Sequence, residues 1–209
     1  MTNITQISAG WFHILARRSD GTVWAWGNNS NGELGDGTAV NKFSPVTALN
    51  VSNIVVVSGG DGHSSALASN GMIWKWGLND LGELGNGTTN ATANPFPAQI
   101  ITNKFGNGFS NVVMMAARDY HNIAVKADGS VWMWGANDQG QCGEGTTNND
   151  CWSPVPVAGL GARLLGGSYY GQTVQIWSAL LAAALLAGLL IVAVGAVERV
   201  VVRRMGAPP

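Results

Sequence analysis

A chain of 209 residues is long enough to bury a sizeable core in one or two domains, and 29 Gly, nine Trp and only 11% charged residues exclude the composition of a disordered protein. The formal net charge of −1 conceals an asymmetry, because residues 1–175 hold eight Lys/Arg against eleven Asp/Glu while residues 176–209 hold three Arg against one Glu. Neither part carries the basic footprint of a nucleic-acid binder, and two cysteines, Cys142 and Cys151, are too few for a disulfide framework or a zinc site.

The amino terminus, Met1 to Ile7, has no basic region and no long apolar run, so no secretory signal is read there. A repeat begins at once. Ile7-Ser8-Ala9-Gly10-Trp11-Phe12-His13 leads to Ser19-Asp20-Gly21-Thr22-Val23-Trp24-Ala25-Trp26-Gly27 and then to Gly32-Glu33-Leu34-Gly35-Asp36-Gly37-Thr38. Val57–His63, Ser69–Gly77 and Gly82–Thr88 repeat this order, and Met115–His121, Ala127–Gly135 and Gly140–Thr146 repeat it again. Asp20-Gly21, Asn70-Gly71 and Asp128-Gly129 are hairpin turn signals, because Gly accepts the positive φ of a tight turn.

Each turn precedes a short β-branched and aromatic run, Val23–Trp26, Ile73–Trp76 or Val131–Trp134, that predicts a strand with both Trp on one face. Ser44–Leu49 and Ser153–Val157 predict a further strand per unit, with Pro marking an edge. The polar stretch between Thr88 and Ser110 holds the extra length of the second unit and is expected to be a surface loop. Three or four short strands in each of three units of about 50 residues describe propeller blades, over about 4–50, 51–108 and 109–160.

These motifs resemble the regulator of chromosome condensation repeat, over about residues 4–160. The resemblance implies blades of a propeller that has seven in the family, so this chain is expected to form an open arc with exposed edges, inviting self-association. A fourth copy starts at Leu165–Tyr170, within a repeat region 1–165 and a linker 166–175, but Gly171 stands where His is expected and no Trp-x-Trp follows.

Residues 176–197 carry no charge, and as a helix they reach about 33 Å at about 1.5 Å per residue, enough for a membrane span. Tyr169, Tyr170 and Trp177 lie where interfacial aromatics would sit, and Arg199, Arg203 and Arg204 lie in the basic tail 198–209. This arrangement predicts a cytoplasmic carboxyl end. Ser178–Arg204 also resembles the last membrane helix of ATP-binding-cassette transporter permeases, though one helix forms no transport path.

Recurring His13, His63 and His121 are read as structural hydrogen-bonding residues inside their own blades rather than as metal ligands. The Gly-rich segments lack the Lys-Ser/Thr of a phosphate loop and are read as turns. The paired Trp are read as core, and Cys142, standing where Leu34 and Leu84 stand, as a buried apolar residue; its bonding to Cys151 is left open. The sequence therefore designates no catalytic, cofactor-binding or metal-binding residue. It predicts an all-β partial propeller followed by one transmembrane helix, acting as a membrane-tethered, non-enzymatic protein-interaction module. The alternatives are a truncated or fused fragment, and a nucleotide-exchange regulator of a small GTPase.

Overall fold

The structure, a computed structural model, describes residues 1–158 apart from 146 and 148. The expected linker 166–175, membrane helix 176–197 and basic tail 198–209 lie outside the described residues. Among those residues all regular structure is β, and no helix is long and apolar enough to cross a membrane.

Three antiparallel four-stranded sheets follow one another along the chain. The first holds β1 (Ile4–Ala9), β2 (His13–Arg18), β3 (Val23–Gly27) and β4 (Lys42–Thr47) in sequence order. The second holds β5 (Ile54–Gly59), β6 (His63–Ala68), β7 (Ile73–Gly77) and β8 (Ala98–Gln99), and the third β9 (Val112–Arg118), β10 (His121–Lys126), β11 (Val131–Gly135) and β12 (Cys151–Pro156). The Pro-bearing strands lie at a sheet edge, as their missing N–H requires.

The register follows from the turns. At the first β2–β3 connection Gly21 has φ 78°, while the Asp20 carboxylate accepts from the Thr22 N–H at 3.0 Å and hydroxyl at 2.6 Å. Asn70 and Asp128 accept from Met72 N–H at 3.1 Å and Ser130 N–H at 2.9 Å in the same way. This fixes Ala25, Lys75 and Met133 between the two Trp of their strands, each pair of indoles sharing a face.

Those faces join the blades. Trp76 and Trp134 are fully buried, and their indole N–H groups donate to the carbonyls of Glu33 at 2.6 Å and Glu83 at 3.0 Å, each in the Gly-rich turn of the preceding blade. Around the first contact Leu15, Val23 and Leu34 pack on Ile54, Val57 and Ala66; around the second Ile73 packs with Val112, Ala124 and Trp134. Glycine permits this approach. A Cβ on Gly32 would come within 2.6 Å of the Pro95 backbone, and one on Gly82 within 2.7 Å of the Trp152 backbone, so the turn of one blade lies directly under the outer part of the next.

The expected surface loop after Thr88 is corrected by the structure. Ile100 and Phe109 from this stretch are buried in the second core, Phe109 meeting Trp132 and Trp134 edge-on with centroids 5.5 and 5.9 Å apart. Asn94 N–H donates to the Asn31 carbonyl at 3.0 Å, and the Pro95 carbonyl accepts from Gly37 N–H at 3.1 Å. The insertion therefore both fills the core and closes the joint with the first blade.

The histidines are corrected too. Their bonds run between blades, not within one: His13 Nε2 is 2.9 Å from Ser64 Oγ, and His63 Nε2 is 3.0 Å from Asn122 Oδ1. Ser64 Oγ–H and Asn122 Nδ2–H in turn donate to the same Glu33 and Glu83 carbonyls that receive the indoles, at 2.7 and 3.0 Å. Burial pushes His13 down from 6.5 to about 4, against the pull of Asp61, and holds His63 well below its usual range, with the nearby Lys75 adding to the effect.

Two tests follow from these joints. Trp76→Phe removes a buried donor and is expected to cost about 1–2 kcal/mol in urea unfolding, whereas Trp24→Phe, whose indole nitrogen is buried without a partner, changes stability by less than about 1 kcal/mol. The pH dependence has a defined sign. Because the unfolded chain binds the His13 proton with a pKa near 6.5 and the folded chain only near 4, its share of the stability is complete above 6.5 and is lost as pH falls towards 4. Glu83, raised to about 8 chiefly by burial, works in the opposite sense, so the contribution is read as a difference. The stability of the native chain relative to His13→Gln should decline on the order of 3 kcal/mol across that window; a flat difference would exclude a buried neutral imidazole.

Candidate functional site

The residues singled out from the sequence are mostly consumed by the fold. His13 and His63 are held in the interblade joints, and among the described residues no group of three His, Cys, Asp or Glu side chains is arranged to hold a metal ion. The three Gly-rich segments are turns in which Asn29, Asn79 and Asn137, all fully buried, accept from the N–H of Leu34, Leu84 and Cys142 at 2.9, 3.0 and 2.9 Å. Their other amide end reaches the far side of the same turn, as Asn29 Nδ2 does in donating to the Thr38 and Val40 carbonyls at 2.9 and 3.1 Å. These asparagines form a third recurrent feature two residues beyond the strand-ending Gly of each blade. Cys142 and Cys151 are free thiols, both buried.

What the fold does not consume is gathered at one end of the sheets. The connections between the first and second strands of the blades, Gly10–Phe12, Gly60–Gly62 and Asp119–Tyr120, lie side by side, joined by Trp11 N–H to the Gly60 carbonyl at 3.3 Å and Asp61 N–H to the Asp119 carbonyl at 2.8 Å. In the first two blades the recurrent histidine closes the connection from below. A Cβ on Gly10 would come within 2.2 Å of the His13 ring, and one on Gly60 within 2.2 Å of the His63 ring, so the backbone lies flat upon the imidazoles.

On this base Trp11 and Phe12 stand exposed, their rings 5.8 Å apart, and Tyr120 is partly exposed across the cleft. The cleft, of about 760 Å³, is lined by Trp11, Tyr120, His121 and three carboxylates, Asp119, Asp138 and Asp150. Asp61 accepts from the Tyr120 hydroxyl and pushes the phenol up to about 12, holding it protonated as a donor. Aromatic faces beside several carboxylates form a surface for cationic and apolar groups, by stacking and charge-assisted hydrogen bonding. Sequence reasoning missed it because Trp11-Phe12, Asp61-Gly62 and Asp119-Tyr120 have no residue common to all three: the signal was variation at a fixed place just before a constant His.

Signatures described as the regulator of chromosome condensation (RCC1) repeat match residues 4–33 and residues 20–67, 70–125 and 128–166. Protein pim1 of Schizosaccharomyces pombe is 29% identical over 175 residues, covering 75% of this chain and 32% of that protein. The secretion-regulating guanine nucleotide exchange factor of Mus musculus is 30% identical over 157 residues, covering 75% of this chain and 25% of that protein. The chain thus spans about a third or less of the length of these relatives. Among solved structures, yeast RCC1 (Prp20) bound to Kap60 superposes with a TM-score of 0.65 at 22% identity, over 77% of this chain and 38% of that one. Human WBSCR16 gives 0.63 at 21% identity, over 73% and 37%. These likenesses show the fold, while the resemblance of Ser178–Arg204 to a permease helix gains no support from them. With repeat signatures over most of its length and the three blades they describe, the chain belongs to the regulator of chromosome condensation repeat family.

Proposed function

We propose that the chain is a non-enzymatic protein-interaction module, that its partner docks in the cleft between Trp11 and Tyr120, and that residues 176–197 tether it to a membrane. The observation that carries the docking site is the contrast among the aromatics. Trp76 and Trp134 are locked into joints by their N–H groups, whereas Trp11, Phe12 and Tyr120 are exposed together on adjacent connections with carboxylates around them. A partner segment pairing Arg or Lys with an apolar side chain complements that surface. The support for tethering is the uncharged run of residues 176–197 followed by Arg199, Arg203 and Arg204.

A second reading, nucleotide exchange on a small GTPase, rests on the similarity to the mouse secretion-regulating guanine nucleotide exchange factor. The chain spans only 25% of that protein, which favours the more general interaction reading.

Peptides selected from a displayed random library on the full chain are expected to be enriched in Arg or Lys next to aromatic residues. Trp11→Ala and Asp119→Lys should each lower their binding at least about tenfold, since one lost aromatic or ionic anchor is worth about 1.4 kcal/mol or more; unchanged binding would remove the cleft as the docking site. Tethering has its own test. After alkaline carbonate extraction the full chain should remain in the membrane pellet and a chain ending at residue 171 in the supernatant, and a soluble full chain would exclude a span.

A further inference from the structure

The repeated joint states what each blade presents to its neighbours. The side facing the preceding blade carries the second Trp, the third residue from the end of the first strand, the residue after His and a residue at the outer edge, Phe43, Pro95 or Trp152. The side facing the following blade carries the Gly-rich turn and the apolar residues of strands one to three. Both kinds of side occur without a partner among the described residues, one on the first blade and the other on the third.

On the first blade Ile7 occupies the place of Val57, which is 2% exposed, yet Ile7 is 71% exposed. Phe43 occupies the place of Pro95 and Trp152, which cover the turn glycines Gly32 and Gly82, and it is 99% exposed. Trp26, at the position of Trp76 and Trp134, is only half-buried, and no acceptor for its N–H is found among the described residues. On the third blade Met114, at the place where Gln6 bonds the next blade through Val57 and Val56 packs into the second core, is 64% exposed. Ile123 is part-exposed at the place where Leu15 is fully buried. The Gly140–Gly145 turn, with positive φ at Gly140, Gly143 and Gly145, offers the Gln141 carbonyl where Glu33 and Glu83 offer theirs.

We propose that these two surfaces bind each other between two copies of this chain: the first blade of one copy docks head-to-tail on the third blade of another, with Trp26 donating to the Gln141 carbonyl, Phe43 lying on the turn at Gly140, and Ile7 packed on the third-blade apolar side. The occupant is argued from continuity with an interface already formed twice within the chain, whose two halves both stand exposed here. Neither half complements itself, so the contact is heterologous; the described residues of two copies supply six blades, a number at which propellers close. One feature differs from the internal joints. Ile14 stands where Ser64 and Asn122 bond the preceding His, so His121 gains no hydrogen bond from it and the new joint lacks the relay of the other two.

The inference rests on the interaction-module reading, and Gln141 and His121 also line the cleft, but Phe43 and Met114 lie outside it, so variants at these two positions let the two readings fail separately. The full chain in mild detergent should run by light scattering as a dimer. Phe43→Glu and Met114→Glu, both at exposed positions that leave the internal joints untouched, should each give monomers. Mixing the two variants should restore a dimer, because one intact joint remains available between them. Ile14→Asn, which supplies the missing relay partner, should slow dissociation by about tenfold, one added hydrogen-bonded contact. A monomeric native chain, as when residues 159–209 cover the third blade, overturns the proposal. So does a dimer indifferent to both charge variants, as association through the apolar segment would be, or one the mixture fails to restore. Unchanged peptide binding to a monomeric Phe43→Glu variant would leave the cleft standing.

Discussion

One carbonyl per joint holds this architecture together. The Glu33 carbonyl receives the indole N–H of Trp76 and the hydroxyl of Ser64, and the Glu83 carbonyl receives Trp134 and Asn122, so each of these two Gly-rich turns presents one oxygen that accepts two donors between two sheets. A buried carbonyl with two donors satisfies both lone pairs, whereas leaving it bare would cost the full desolvation penalty. The turn must therefore be presented rigidly, and the internal amide bonds of Asn29 and Asn79 do this from within, while the Glu33 carboxylate accepts from Asn31 N–H at 3.0 Å and that of Glu83 from Leu81 N–H at 2.9 Å. Both the side chain and the backbone of the same glutamate are thus structural. Gln141 preserves the local role in the third blade by accepting from Gln139 N–H at 2.9 Å.

The second joint differs from the first in carrying a buried amine. Lys75 stands where Ala25 and Met133 stand, fully buried, its Nζ donating to Ser65 Oγ at 2.7 Å and to Asn122 Oδ1. Burial pushes the amine well below the usual lysine range and the Glu83 carboxyl up to about 8, so the interior favours the neutral form of each. Asn122 lies at the centre: its oxygen faces both His63 and Lys75, and its amide donates to the Glu83 carbonyl. The second joint thus enlarges the polar relay of the first into a network in which two titratable side chains, His63 and Lys75, share one amide. Such a network specifies geometry more than it adds stability, since apolar residues of like volume satisfy a core as well.

Much of this fold was legible because identical residues do identical work at a fixed period. The Asp/Asn-Gly turns, the Trp pairs and the Gly-rich turns repeat as letters, and each letter names its chemistry: positive φ, large apolar area, close backbone approach. The structure departs from the sequence reading where a role is kept but the letter changes. Ser64 and Asn122 both link a preceding His to a carbonyl through different chemistry, so the direction of the His bond, to the next blade, was hidden. Pro95 and Trp152 both cover a glycine with their backbone, a contact to which side-chain identity is indifferent. Phe109 and Ile100 are core residues diluted among Asn, Thr and Gly, and no periodicity marks them.

The same logic explains why the candidate site was the least legible part. A scaffold that repeats its joints frees the residues that do not repeat, and the three connections before the histidines differ as Trp-Phe, Asp-Gly and Asp-Tyr, the first two resting on the same flat glycine-on-imidazole base. A tight joint needs a backbone that cannot move, and that immobility lets adjacent connections hold aromatic rings and carboxylates at fixed separations without a core of their own. Recognition by such a surface loses little conformational entropy on binding, because the sheets below have already restricted the backbone. Variation at the rim is thus a consequence of constancy at the joint: the joint bears on the rim only through glycine and histidine, and it leaves the exposed positions free to carry whatever chemistry a partner demands.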